Sequence, residues 1–141
     1  MLGAYQPAGG APYADPAWGT AQAKAFVGEH ADVIFGTGGT TGQGALLGAA
    51  QSGVFCINED LAASRDPGCL RATSMKFIDR GVQIVLAAAI AGQWRSGVQS
   101  LGLAQHAVGL SLGNDPALTP EIRVRLKTIA DLLAAGSISS R

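Results

Sequence analysis

The sequence predicts an α/β fold with a doubly wound, mostly parallel sheet, and three observations carry that expectation. Residues 31–44, ADVIFGTGGTTGQG, take a β-branched and aromatic run, Val33-Ile34-Phe35, straight into a turn rich in Gly and Thr. The segments on either side alternate strand, helix, strand, helix, strand, with connections so short that they imply parallel pairing through right-handed crossovers. The composition, 48% hydrophobic and 14% charged with 20 Gly, suits a compact α/β domain and not a disordered chain.

Taken in order, residues 2–5 read as a short strand and 6–14, QPAGGAPYA, as a loop of Pro, Gly and small residues. Asp15 followed by Pro16 starts a helix, with Asp as N-cap and Pro at the first helical position. Trp18, Ala21 and Ala25, with Phe26 beside them, form the face expected to pack on a sheet, and Gly28 marks the end. A strand at 32–36 leads into the glycine turn and a helix at about 42–52, closed by Ser52-Gly53. Val54 to Ile57 is the next strand. Residues 61–68, LAASRDPG, are a polar loop with an Asp66-Pro67-Gly68 turn signal.

Leu70 to Ser74 reads as a fourth strand, and Thr73 or Ser74 as the cap of a helix from near Lys76 to about Gly92. The second half of that helix is apolar nearly all round, which predicts burial on most sides. Gly97 to Leu112 suits a loose strand pair. Thr119-Pro120-Glu121 opens the last helix, whose stripe is Ile122, Leu126, Ile129 and Leu133 and whose stop is Gly136. A length of 141 residues fits a single domain that buries about two-thirds of its unfolded surface. Residues 1–118 then supply the sheet and crossover helices, and 119–136 the terminal helix.

Net charge is zero, but unevenly spread: residues 1–60 hold one Lys and five acids, residues 61–141 nine Lys/Arg and five acids. The basic residues are scattered among acids, so the asymmetry reads as internal complementarity and not as a nucleic-acid footprint. Cys56 and Cys69 have no partners at metal-ligand spacing. Cys56 reads as an inert buried thiol, with a Cys56–Cys69 disulfide as the alternative in an exported protein. The start, MLGAYQPAGG, lacks the features of a signal peptide, and the most apolar run, Val82 to Ala91, is too short to span a bilayer. The chain as written therefore reads as soluble and without an export signal of its own.

In parallel sheets of this kind ligands sit outside the carboxyl ends of the strands. There the loop at 6–14, the glycine turn and Asn58-Glu59-Asp60 converge. Gly36, Gly38, Gly39 and Gly42 allow main-chain N–H groups to approach a ligand at a helix N-terminus. No Lys follows the glycines, so this is not a Walker loop, and Thr41 stands where G-x-G-x-x-G needs its last Gly. A plain linking turn is the alternative.

Glu59 and Asp60 are consecutive strand residues whose side chains point to opposite faces, which argues against a joint acid/base role. Asp60 suits a bidentate acceptor for a sugar diol or a cationic group, or else a turn-stabilising Asp. Thr73-Ser74-Met75-Lys76 lacks Ser-x-x-Lys spacing. Lys76 at a helix start reads as reaching toward a ligand or Asp60, against the alternative of a solvated lysine. Tyr13 stands where an aromatic can stack on a planar ligand. His30 and His106 read as surface or capping residues. No metal or cofactor is expected.

Six blocks in order, YADPAWGTAQA (13–23), ADVIFGTGGTTGQGALLGAA (31–50), GVFCINED (53–60), TSMKFID (73–79), GLAQHAVGL (102–110) and the terminal helix ending AAGSIS, carry a likeness over nearly the whole chain. On them the chain resembles the basic membrane protein, or Med/PnrA-like, family of ABC-transporter substrate-binding lipoproteins. The resemblance implies one lobe of a type I periplasmic-binding-protein fold, the second of two, clamping a nucleoside or similar small polar solute without chemistry. It implies Asp60 as the acceptor for ribose hydroxyls, Lys76 and Tyr13 as further ligand contacts, and the turn of Gly38, Gly39, Thr41 and Gly42 as the cleft floor.

The implied partners are an ABC permease and a first lobe or second copy, at the extracytoplasmic face of the cell membrane. The chain departs from the family where members show Gly-Val-Asp followed by Asp-Gln and this sequence has Asn58-Glu59-Asp60-Leu61. The other functions to weigh are a remodelled lobe acting as a self-associating interaction module and a nucleotide-using enzyme. The lack of a Walker Lys, an acid pair and a nucleophile counts against the enzyme.

Overall fold

The structure, a computed structural model, describes residues 1–60, 68–113 and 115–139. Asp66 and Pro67 of the expected turn lie outside them. The elements are α1 (Pro16–Gly28), β1 (Val33–Gly36), α2 (Gly39–Gln51), β2 (Phe55–Glu59), β3 (Leu70–Lys76), α3 (Ile78–Ile90), a 3₁₀ turn at Leu103–Gln105, β4 (Val108–Leu112) and α4 (Pro120–Ala134).

The α/β class and the mostly parallel sheet are as expected. The order is β1-β2-β3-β4, with β1 parallel to β2 and β2 parallel to β3. Residues 2–5 form no strand, so β1 stands at the edge.

Two compact units divide the chain: Met1–Ser74 with Leu110–Asp115, and Met75–Gly109 with Pro116–Arg141. The first is held by Ala23, Ile34, Leu46, Ala49, Cys56 and Cys69, with Phe26, Val27 and Leu70 packed against them. Here α1 lies along α2 at unusually short range. A Cβ on Gly19 would sit 2.0 Å from the Thr41 carbonyl oxygen, and one on Gly48 2.7 Å from that of Thr20. The seam is therefore made of Gly19 and Ala23 against Gly44 and Gly48, and Ala21 and Ala25, expected to be buried, face out. Bare backbone lets two helices approach as closely as this, so small residues and not the apolar stripe decide which face turns inward.

The N-cap is as expected: Asp15 Oδ1 accepts from the Trp18 N–H at 2.9 Å. Cys56 and Cys69 are not inert thiols but a disulfide between β2 and β3, their Cα atoms 5.2 Å apart. The Cys56 N–H also donates to the Cys69 carbonyl at 2.8 Å, so ladder pairing brings the two side chains into bonding range.

In the second unit α3 starts at Ile78, after Phe77, so Lys76 ends a strand and does not sit at a helix start. The expected burial of α3 is not found. Leu101 approaches it at Gly81, while Val82, Leu86 and Ile90 stay exposed. Of the strand pair expected over 97–112 only β4 forms; Gly97 to Gly102 has no regular structure. The terminal helix is capped by Thr119, whose Oγ1 accepts from Ile122 N–H at 3.4 Å, and stops at Gly136 with φ 68°.

Candidate functional site

Parallel pairing aligns Gly36 with Asn58, so the residues that follow each, Thr37 and Glu59, emerge side by side at the carboxyl edge. There the Glu59 carboxylate accepts from the Thr37 hydroxyl through Oε2, and the same oxygen accepts from the Gly38 N–H at 3.3 Å. Asn58, buried and on the opposite face of β2, donates from Nδ2 to the Asp60 carbonyl at 3.0 Å. The Asp60 N–H donates to the Ser74 carbonyl of β3 at 2.8 Å, and Asp60 takes a positive φ of 58°. Two carboxylates thus stand at the mouth of the first unit, their backbone fixed by neighbours on both sides.

The glycine turn is oriented by the loop before α1. The Tyr13 carbonyl accepts from Thr40 N–H at 2.9 Å, from Thr41 N–H at 3.4 Å and from the Thr40 hydroxyl at 3.0 Å. Gly38 and Gly39 both have positive φ, and a Cβ on Gly39 would lie 2.7 Å from the Tyr13 carbonyl oxygen. The bareness of Gly39 is used by Tyr13, whose own φ is 67° and whose ring is largely exposed beside Gly38.

The sequence-predicted residues divide accordingly. Tyr13, Gly38 and Gly39 come together at the turn, and Asp60 follows Glu59, which the turn contacts. Thr41 and Gly42 are buried beneath it. The Thr41 hydroxyl accepts the Asp15 N–H at 2.9 Å, and a Cβ on Gly42 would meet the Thr37 backbone at 2.7 Å. Both hold the turn in shape. Lys76 belongs to the second unit, at the carboxyl end of β3. His30 and His106 end the first helix and the 3₁₀ turn at positive φ, as capping residues do.

Sequence reasoning did not name Thr37, and it placed Glu59 at this edge without giving it a binding role. The signal was there: with Cys56 and Asn58 facing the core, period-two alternation sends Glu59 to the other face, next to the turn. A groove of about 830 Å³ in the same unit runs along β1, lined by Trp18, Phe26, Val33 and Phe35 and reaching Thr37 and Thr41. It is mainly apolar and does not include Asp60. Among the described residues the basic side chains of this unit are Lys24 on α1 and Arg71, and Arg71 Nε pairs with Asp115 Oδ2 at 2.5 Å. Among the described residues no group of His, Cys, Asp and Glu is placed to hold a metal ion.

No known family profile matches the chain, and no curated protein matches it. Its structure is similar to solved ABC transporter solute-binding proteins. One, from Aeropyrum pernix K1, superposes with a TM-score of 0.65 at 21% identity, over 90% of this chain and 45% of that one. Another, from Conexibacter woesei DSM 14684, gives 0.64 at 19% identity, over 86% of this chain and 41% of the other. The chain spans less than half the length of either, and its fold is that of a solute-binding-protein lobe.

Proposed function

We propose that the chain is a solute-binding lobe of an ABC-type importer, taking a nucleoside or similar small polar solute without chemistry. The observation that carries this reading is the meeting of the glycine turn and the Glu59-Asp60 end of β2 at the carboxyl edge of a sheet, in a fold shared with ABC solute-binding proteins. Ligands of parallel α/β sheets bind at that edge. Asp60 serves the hydroxyls of a sugar and Tyr13 stacks on a planar base. Gly38 and Gly39 shape the floor.

The Cys56–Cys69 disulfide supports an extracytoplasmic location, since such bonds persist in oxidising compartments. Among the described residues no helix is long and apolar enough to cross a membrane. An ABC permease and a first lobe are the partners this reading requires.

Isothermal calorimetry against a nucleoside panel tests it, on the chain alone and on a protein that joins it to a first lobe. Saturable binding of at least one nucleoside is expected with both lobes present. No binding in either form, for any member of the panel, overturns the reading.

A second reading is self-association. Val33, Phe35 and Phe55 stand 42%, 54% and 44% exposed along β1 and β2, and Arg71 covers the Phe55 ring with its guanidinium 4.0 Å from the centroid. An apolar sheet face of this kind suits a second copy. Sedimentation equilibrium of the chain distinguishes the two, since a monomer at micromolar concentration removes the second.

A further inference from the structure

Thr41 holds two residues of the loop before α1 at once. Its N–H donates to the Tyr13 carbonyl at 3.4 Å and its hydroxyl accepts the Asp15 N–H at 2.9 Å, so one buried residue grips the peptide groups on either side of Ala14. The Tyr13 carbonyl also accepts from the Thr40 N–H and from the Thr40 hydroxyl. Between these fixed points Tyr13 takes a φ of 67°, a left-handed conformation that is costly for a bulky aromatic residue, which has no short polar side chain to bond the local backbone as Asn and Asp do. Its ring is largely exposed beside Gly38, so burial of the ring does not offset that cost. Such strain persists only where the surroundings over-determine it.

We infer that Thr41 is a positioning residue: by gripping both peptide groups it holds Tyr13 in that strained backbone, so that the aromatic wall of the site stands in place before a solute arrives. Ordering a loop and an aromatic side chain at the moment of binding subtracts from affinity, and a wall already ordered avoids that loss. The grip is anchored in α1, because Asp15 is also the cap of that helix, its carboxylate accepting the Trp18 N–H at 2.9 Å and Gln6 Nε2 at 3.3 Å. A Thr41 that served only the seam between α1 and α2 would stabilise the unit without governing Tyr13. What the wall is used for rests on the solute-binding reading above; the grip itself does not depend on the solute.

The test follows amide hydrogen exchange by NMR in wild type, in Thr41→Val, which keeps the shape and removes the hydroxyl, and in Thr41→Ser, which keeps the hydroxyl. The Thr40 amide is the probe, because neither change touches its own bond to the Tyr13 carbonyl, and the Phe55 amide, bonded to the Asp32 carbonyl between β1 and β2, is the reference. In Thr41→Val the Thr40 amide is expected to exchange about tenfold faster relative to Phe55, the equivalent of roughly one weakened hydrogen bond. Calorimetry is expected to show nucleoside affinity falling severalfold in Thr41→Val, and Thr41→Ser to restore both readouts. Tyr13→Asn, a residue at ease at positive φ, is expected to raise the melting temperature by roughly 2–5 °C.

A Thr40 amide that keeps its rate relative to Phe55 in Thr41→Val overturns the inference, as does a Tyr13→Asn protein that melts no higher than wild type. Nucleoside affinity unchanged in a Thr41→Val protein whose loop has loosened overturns the preorganising role. If wild type binds no nucleoside, the importer reading falls, and the exchange comparison still decides the grip. If Thr41→Val does not fold, wild type alone decides: opening of the Asp15, Thr40 and Thr41 amides together, with one dependence on denaturant, upholds the grip, and separate openings overturn it.

Discussion

Gly44 on α2 lies against Pro16 on α1 so closely that a Cβ added to it would sit 2.0 Å from the Pro16 carbonyl oxygen. The obstacle is backbone at the first turn of a helix, which cannot swing aside as a side chain can. Gly44→Ala must therefore part the two helices, and through Pro16 it disturbs the Asp15 cap and the loop that carries Tyr13. Overpacking typically costs about 1–3 kcal/mol, and a clash with backbone belongs at the upper end, with a fall in melting temperature of roughly 10 °C for a domain of this size. Gly28, near the end of α1, has nothing within 4 Å of its virtual Cβ and no positive φ. Gly28→Ala is expected to leave the melting temperature unchanged or raise it, by up to about 1 kcal/mol of stability. Thermal denaturation of the two variants side by side checks both, and equal effects would rule out the close-packed seam.

The Cys56–Cys69 disulfide closes a loop of 13 residues that begins and ends in the core, and both side chains are buried. Such a closure is worth about 3 kcal/mol in the chain-entropy account. The Cys56→Ala, Cys69→Ala double variant is expected to melt well below the oxidised protein. Reductant is expected to lower the wild-type transition toward that of the double variant and to leave the double variant unmoved. A wild-type transition indifferent to reductant would show that the bond does not form in solution.

How much of this was legible beforehand depended on whether the signal was local. The Asp15-Pro16 and Thr119-Pro120 starts, the Gly136 stop and the β1 run depend on a few adjacent residues, and they stand where the sequence puts them. The α1–α2 seam was not legible, because Ala21 and Ala25 look as apolar as Ala23, and only the partner helix decides that Gly19 and Ala23 face it. The disulfide needed the β2–β3 register, which thirteen residues of spacing do not reveal. At the candidate site, the sequence points to the turn and the end of β2 and names Asp60 there, while the contact between the turn and Glu59 lies beyond local signals. Period-two alternation puts Glu59 on the face away from Asn58, but its place beside Thr37 followed only from the pairing of Gly36 with Asn58.

The α4 helix carries a pH signature. The Thr119 hydroxyl, and then the Glu121 backbone N–H, hold the Glu121 carboxyl below its ordinary value, against a smaller opposing effect of desolvation. A carboxylate depressed in the folded state contributes stability that is fully present above its unfolded pKa and is lost as the pH falls through the folded one. The effect is small, because Glu121 is fully exposed, and it belongs to the acid side of the stability profile. In Thr119→Ala the Glu121 carboxyl is expected to titrate at a higher pH than in wild type, followed by NMR of its side-chain carbon. An unchanged midpoint would mean that the Thr119 hydroxyl does not reach it.

Asp60 offers the sharpest separation of backbone from side-chain effects at the site. Its φ of 58° is a conformation that Asp and Asn tolerate and Ala resists, so Asp60→Ala changes both the charge and the strand-end geometry. Asp60→Asn tolerates the same φ, removes the charge and turns one acceptor oxygen into an amide donor, and leaves the N–H bonded to Ser74 and the carbonyl bonded to Asn58. If Asp60 accepts from the hydroxyls of a sugar, Asp60→Asn loses a charge-assisted hydrogen bond worth about 1.5–3 kcal/mol, which is roughly a ten- to hundredfold weaker nucleoside affinity. Should Asp60→Asn bind as wild type does while Glu59→Gln loses affinity, the acceptor for the solute is Glu59, and Asp60 is the turn residue that aims it.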